Sequence, residues 1–284
     1  MTAAADWQNR VGASWAAEWR RTDRSFAGLD VHLEPAVLAT LPDAGRVVDI
    51  GCGAGTTTLA VAAARPDLGI EGRDVSPALI DVARERGAGM ANATFTLGDA
   101  LAAAPPVAGW FSRHGVMFFA DPAAAFARLA QLSAPGAPLV FSCFADRADN
   151  HWADALLAEL GLAAPGAAGQ GLAAGPGPFA FADQAEIAAL LRDAGWIDPT
   201  ARRTAYRYVA GSGPDPVADA ADFFGRIGPV AAAIAAAPAA EQAALRTRLH
   251  AACAARLHDQ AVDFPAAAWL WSARAPSRPK GSAP

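Results

Sequence analysis

The chain has 284 residues, 53 % of them hydrophobic, which is enough to bury one large α/β core with added segments. Its 23 basic and 28 acidic residues leave a net charge of −5 without any basic tract, so neither nucleic acid nor an anionic membrane is an expected partner. The single lysine, Lys280, sits in a Pro/Ser-rich tail, which excludes a Schiff-base lysine in the core.

Residues 4–40 read as two helices, with Trp15, Trp19, Val31, Leu33 and Leu38 among their apolar positions. From Arg46 the pattern alternates. Strands are expected at Arg46–Ile50, Gly69–Asp74, Ala93–Thr96, Ala108–Ser112 and Pro138–Cys143. Helices are expected at Thr56–Ala64, Pro77–Arg86 and Asp121–Leu132, the last stopped by Pro135-Gly136. This alternation predicts a doubly wound, mainly parallel α/β sheet. Residues 145–181 read as an inserted Gly/Pro/Ala-rich loop with one short helix. A helix at Asp183–Ala194 follows, with Asp183 and Glu186 as a capping box. Late strands are expected at Thr204–Val209 and Ala266–Ala273. The resulting division is a helical cap at 1–40, a core at 41–209, a helical lid at 210–262 and a final core strand at 263–275. Disorder is expected from Pro276 on.

The three cysteines, Cys52, Cys143 and Cys253, are far apart and show no CxxC spacing, so they read as reduced thiols in a cytoplasmic chain with no zinc cluster. No signal-peptide pattern is seen, and the alanine-rich run at Val230–Ala240 is too short to span a bilayer.

The segment Val47-Val48-Asp49-Ile50-Gly51-Cys52-Gly53-Ala54-Gly55 predicts a strand running into a glycine turn and then a helix. Its GxGxG spacing puts Thr56 where a dinucleotide fingerprint needs its third glycine. Asp49, inside the strand, suits a cofactor bearing a free ammonium, which a dinucleotide lacks. Asp74 ends the next strand, as a carboxylate for ribose hydroxyls would. Its alternative is a helix cap beside Ser76-Pro77. Asp99, in Gly98-Asp99-Ala100, is placed to accept from an adenine amino group.

Three runs, VVDIGCGAGTTTLAVA, GRDVSPALIDVARERG and TFTLGDA, resemble class I methyltransferases. The block FSRHGVMFFADPAAAFARLAQLSAPGAPLVFSCF is similar to the UbiE/Coq5-type small-molecule branch, as are Trp7–Trp15, Pro176–Asp183 and the AAWLWSAR run. This resemblance implies a Rossmann-like sheet of seven strands, the last antiparallel, and S-adenosylmethionine as cofactor. Carried onto this chain, Asp49, Gly51, Cys52, Gly53 and Gly55 would hold the methionine portion. Asp74 and Val75 would hold the ribose, and Gly98, Asp99 and Ala100 the adenine. Ser112 and Arg113 would lie beside the reactive methyl.

Methyl transfer from a sulfonium needs alignment of the nucleophile and at most one proton acceptor. His114, where the family carries an aromatic residue, is the leading candidate base; the alternative is a histidine bonded to backbone. His151 is a second candidate. Trp7, Trp15, Met117, Phe118, Trp152 and Phe179 are candidates for lining an apolar substrate cavity, with ordinary packing as the alternative. Tyr206 and Tyr208 read as packing or hydrogen-bonding residues. The expected function is methylation of an O, N or C nucleophile on a small, partly apolar molecule, or of a peptide or natural-product carboxylate or amine, by a monomer or homodimer. A nicotinamide oxidoreductase and a non-catalytic cofactor-binding module are the competing classes. No Asn-Pro-Pro-Tyr signature is present, and a catechol-type metal site relies on a core lysine that this chain lacks, so no metal requirement is expected.

Overall fold

The computed structural model describes residues 7–162 and 170–277. Two helices come first, α1 (Arg10–Ala17) and α2 (Trp19–Leu38). The alternating region follows: β1 (Arg46–Ile50), α3 (Thr56–Ala64), β2 (Gly69–Asp74), α4 (Pro77–Arg86), β3 (Ala93–Leu97), β4 (Gly109–Arg113), α5 (Pro122–Leu132) and β5 (Pro138–Phe144). Then come α6 (Asp154–Glu159), α7 (Gln184–Asp193), β6 (Ile197–Gly211), α8 (Pro216–Arg226), α9 (Gly228–Ala236), α10 (Ala239–Ala254), the two-residue β7 (Leu257–His258) and β8 (Ala261–Arg274).

The strands form one sheet in the order β3-β2-β1-β4-β5-β8-β6, with β7 paired to β8. β1 to β5 are mutually parallel, and β8 lies antiparallel between β5 and β6. The doubly wound sheet and its antiparallel last strand agree with expectation; β7 is an addition. Winding reverses between β1 and β4, so the crevice at their carboxyl ends is the switch point where open α/β sheets bind ligands.

Local chemistry explains the parallel half. β1 carries Val47, Val48, Asp49 and Ile50, all buried, as a strand covered on both faces requires. α4 and α5 each begin with proline at the first turn, behind Ser76 and Asp121 as caps. The core runs through Trp110, Phe111, Phe126, Phe141 and Trp271. α2 buries Phe26, Leu29, Leu33 and Val37 along one stripe.

Two late strands are longer than expected. β6 starts at Ile197 rather than Thr204, because this edge strand alternates exposed and covered residues, and a register shift between Ile197 and Thr200 hides its start. β8 starts at Ala261 rather than Ala266; Pro265, paired opposite Arg207, interrupts the apolar run that marked it. Asp183 caps α7 as expected, accepting from the Glu186 amide at 3.0 Å, but the Glu186 carboxylate accepts from Leu172 instead (2.8 Å), so the capping box is half formed. Pro276 still accepts from Gly136. The rest of the expected disordered tail (278–284), the first residues of the cap (1–6) and part of the inserted loop (163–169) lie outside the described residues.

Candidate active site

The turn after β1 is built by glycines in the left-handed region: Gly51 (φ 65°), Gly53 (φ 54°) and Gly55 (φ 85°). At Gly51 a Cβ would lie 3.0 Å from the Gly115 Cα, so the β1 and β4 turns touch. Around Gly53 nothing lies within 4 Å of a Cβ position. Cys52 is buried, its amide donates to the Arg73 carbonyl, and its thiol packs against Gly72. Asp49 is only 1 % exposed. Its Oδ2 accepts from the Thr58 hydroxyl at 2.6 Å, and its Oδ1 is buried without a partner. Burial pushes its pKa up to about 7, against the pull of the Thr58 bond and Arg113 and with the repulsion of Asp74.

Asp74 accepts from the Gly53 amide and from the Ser76 amide, both at 2.9 Å, so it holds the glycine turn to the β2–α4 connection through Val75. Burial raises its pKa against these bonds. Gly98 donates to the Asp74 carbonyl, and Asp99 Oδ1 accepts from the Leu101 amide, with Ala100 buried beside it. Over this corner lies α1. A Cβ on Gly12 would meet the Trp7 carbonyl and the Ser76 hydroxyl at 2.1 and 2.2 Å, so only glycine permits that approach.

The end of β4 differs from expectation. The Ser112 hydroxyl donates to the Ile50 carbonyl (2.6 Å) and accepts from the Gly115 amide (3.0 Å), so it braces two turns rather than facing a ligand. Arg113 is engaged by Asp30 at 2.8 Å and Asp23 at 2.9 Å, so its guanidinium is not free for the cofactor. His114 has φ 62° and is 6 % exposed, between Phe26 (4.9 Å) and Phe144 (4.2 Å). Its Nδ1 lies 2.8 Å from the Ser142 hydroxyl and its Nε2 is buried without a partner. Burial, reinforced by the Arg113 charge, lowers its pKa to about 3. A neutral imidazole of that basicity is a poor proton acceptor at neutral pH.

His151 does not join it: the ring is exposed, and the residue is held by its backbone amide donating to Pro265. The aromatic candidates split into two groups. Trp7 meets Trp15 (5.7 Å) and Phe118 (5.1 Å) near the Ser76 corner. Trp152 and Phe179 stack on each other (5.9 Å) and join Phe144 and Tyr208 on the other side of His114. Met117 is core, 2 % exposed. Among the described residues no cluster of three His, Cys, Asp or Glu side chains is placed to hold a metal, and no helix is long and apolar enough to cross a membrane.

The sequence reading missed the contribution of α2. Asp23 accepts from the Thr56 hydroxyl (2.5 Å) and pairs with Arg86 (3.1 Å) as well as Arg113. Arg86 in turn donates to the Ala54 carbonyl and lies over the Trp19 ring. A signal was present: Asp23, Phe26 and Asp30 fall on the apolar stripe of α2, where carboxylates need buried partners.

Known proteins resemble parts of this chain. The chain matches a family described as methyltransferase domain over the glycine turn, β1 to β4 and α5. The matched stretch is residues 47–136, which holds the runs that resemble class I methyltransferases. The class uses S-adenosylmethionine, and the geometry fits that group: an unpartnered buried carboxylate oxygen beside an open glycine turn. The release factor glutamine methyltransferase of Neisseria gonorrhoeae is 44 % identical over 57 residues, 20 % of this chain and 21 % of that enzyme. The match thus spans about a fifth of that relative's length. Among solved structures, the YcgJ protein of Bacillus subtilis has a TM-score of 0.56 at 17 % identity, covering 87 % of this chain and 99 % of that one. A phosphoethanolamine N-methyltransferase of Haemonchus contortus, solved with S-adenosylmethionine, has a TM-score of 0.54 at 15 % identity, covering 97 % and 60 %. At these identities the likeness to the methyltransferase domain is one of fold.

Proposed function

We propose that the protein transfers a methyl group from S-adenosylmethionine to a nucleophile on a small, partly apolar molecule, and that the cofactor lies on the glycine turn. The observation that carries this is Asp49: a nearly inaccessible carboxylate with one unpartnered oxygen, next to a turn that is open at Gly53. A ligand ammonium is the complement such an oxygen needs. In this reading Asp49 and the amides of Gly51 to Gly55 hold the amino-acid end. Asp74 receives hydroxyls on the lone pairs that Gly53 and Ser76 leave open. Asp99 uses its second oxygen for the base.

The bound cofactor supplies a methyl on an already activated leaving group. The protein's work is then to orient the acceptor and exclude water. α1 with Trp7, and α2 with Phe26, cover the switch point and serve that purpose, with 210–262 as a lid over the acceptor side. His114 is assigned a hydrogen-bonding role through Nε2 rather than proton abstraction, because its environment keeps it neutral and weakly basic. Proximity carries the reaction.

Calorimetry on the purified chain tests the reading. S-adenosylhomocysteine is expected to give a saturable isotherm and NADH none. The reverse result, heat from NADH and silence from S-adenosylhomocysteine, overturns it.

A further inference from the structure

Three of the buried polar atoms that lack a partner gather around one guanidinium. Asp30 holds Arg113 through Oδ2 at 2.8 Å, and its Oδ1 has no partner. His114 follows Arg113 directly, and its Nε2 has none. Tyr206 is 8 % exposed on β6, its hydroxyl has none, and it feels the charges of both Asp30 and Arg113. α2 brings these groups together, because Gly28 lets it approach β6: a Cβ there would sit 3.1 Å from the Arg207 carbonyl and 3.5 Å from the Tyr206 Cβ. Next to this polar corner stand the rings of Phe26, Phe144 and Tyr208.

We propose that Asp30 and Tyr206 are the polar receptors of the acceptor pocket, and that they select a molecule carrying a hydroxyl or amino group on an apolar ring. The proposal rests on the methyltransferase reading above and adds the substrate class to it. An ionised carboxylate oxygen only accepts, so its missing partner must donate. A phenol, held neutral by burial, donates or accepts. A hydroxyl or amino group satisfies both at once; an ether or a hydrocarbon cannot donate to Asp30. The local charges disfavour an anion: Asp23 and Asp30 already pair with Arg86 and Arg113, and Glu34 adds a further carboxylate beside Asp30, so an anionic ligand would enter a buried site with no free cation.

The test is fluorine NMR on the full chain, titrating 4-fluorophenol, 4-fluorotoluene and 4-fluoroanisole with and without S-adenosylhomocysteine. The phenol is expected to bind about tenfold more tightly than the other two, the low end of what one hydrogen bond to a charged group contributes. Tyr206→Phe, which removes one unpartnered oxygen and nothing else, is expected to lower that preference about fivefold. Asp30→Asn is expected to lower it to about twofold or less. Should Asp30→Asn fail to fold, Tyr206→Phe alone decides. Equal binding of phenol and toluene by the wild type, meaning that water satisfies the three atoms, overturns the proposal. So does a preference that survives Tyr206→Phe. Calorimetry with S-adenosylhomocysteine separates the two readings. A wild type that binds no S-adenosylhomocysteine breaks the methyltransferase reading, whereas intact S-adenosylhomocysteine binding with no phenol preference breaks only this one.

Discussion

The two sides of the switch point are made of different material. On the side proposed for the cofactor, around Gly51 to Gly55, backbone dominates: three left-handed glycines and the Gly53 amide on Asp74, with Asp49 the one buried carboxylate beside them. On the side proposed for the acceptor, around His114, side chains dominate: Phe26 and Asp30 from α2, Phe144 from β5, and Tyr206 and Tyr208 from β6. A backbone cradle suits a ligand that never varies. A wall assembled from separate chain segments can change its ligand without disturbing the turn.

The sharpest way to break this contrast is at Arg113, which joins the two sides through Asp23 and Asp30. Arg113→Ala leaves Asp30 without its cation and Asp23 with Arg86 alone, and is expected to cost about 3 kcal/mol in chemical denaturation. A loss under about 1 kcal/mol would mean water reaches both carboxylates and the joint is not buried. Next in size is Asp49→Ala. It removes a charge-assisted hydrogen bond of about 1.5–3 kcal/mol, so S-adenosylhomocysteine affinity should fall roughly 10- to 100-fold by calorimetry. The apo protein should lose little, since one oxygen of Asp49 is unpartnered there.

The same carboxylate predicts a pH dependence. With its pKa raised to about 7, Asp49 is protonated below neutrality in the free protein, and that proton must leave before an ammonium can bind. Affinity for S-adenosylhomocysteine should therefore rise about tenfold from pH 6 to pH 8 in the wild type and stay flat in Asp49→Asn. A flat wild-type profile would place the pKa near that of an ordinary carboxylate.

What could be read from the sequence follows the same division. The glycine turn, Asp49, Asp74 and Asp99 lie within short range of one another along the chain, and local strand–turn–helix chemistry exposes them. The parallel strands were legible for the same reason: short strand-forming runs, apolar throughout in β5 up to Phe141, set between helical stretches with proline and glycine punctuation. Arg113 was legible as a position but not as a partner of Asp23 and Asp30, which lie 90 and 83 residues away. Tyr206 read as a packing residue because nothing near it in sequence shows that Asp30 approaches it. The start of β6 was hidden because an edge strand with one exposed face alternates arginine with apolar residues.

The smallest expected effect concerns His114, and it decides whether the acceptor side holds a base. A histidine used as a general base would titrate near neutrality, so its ring signals would move between pH 5 and pH 8. In this fold the ring is enclosed by Phe26 and Phe144 and bonded to Ser142, and burial, then the Arg113 charge, lowers its pKa to about 3. Its proton and nitrogen NMR signals should stay those of a neutral imidazole throughout that range. A His114 titration with a midpoint between 6 and 7 would show that α2 opens in solution, and would return the ring to the role of proton acceptor.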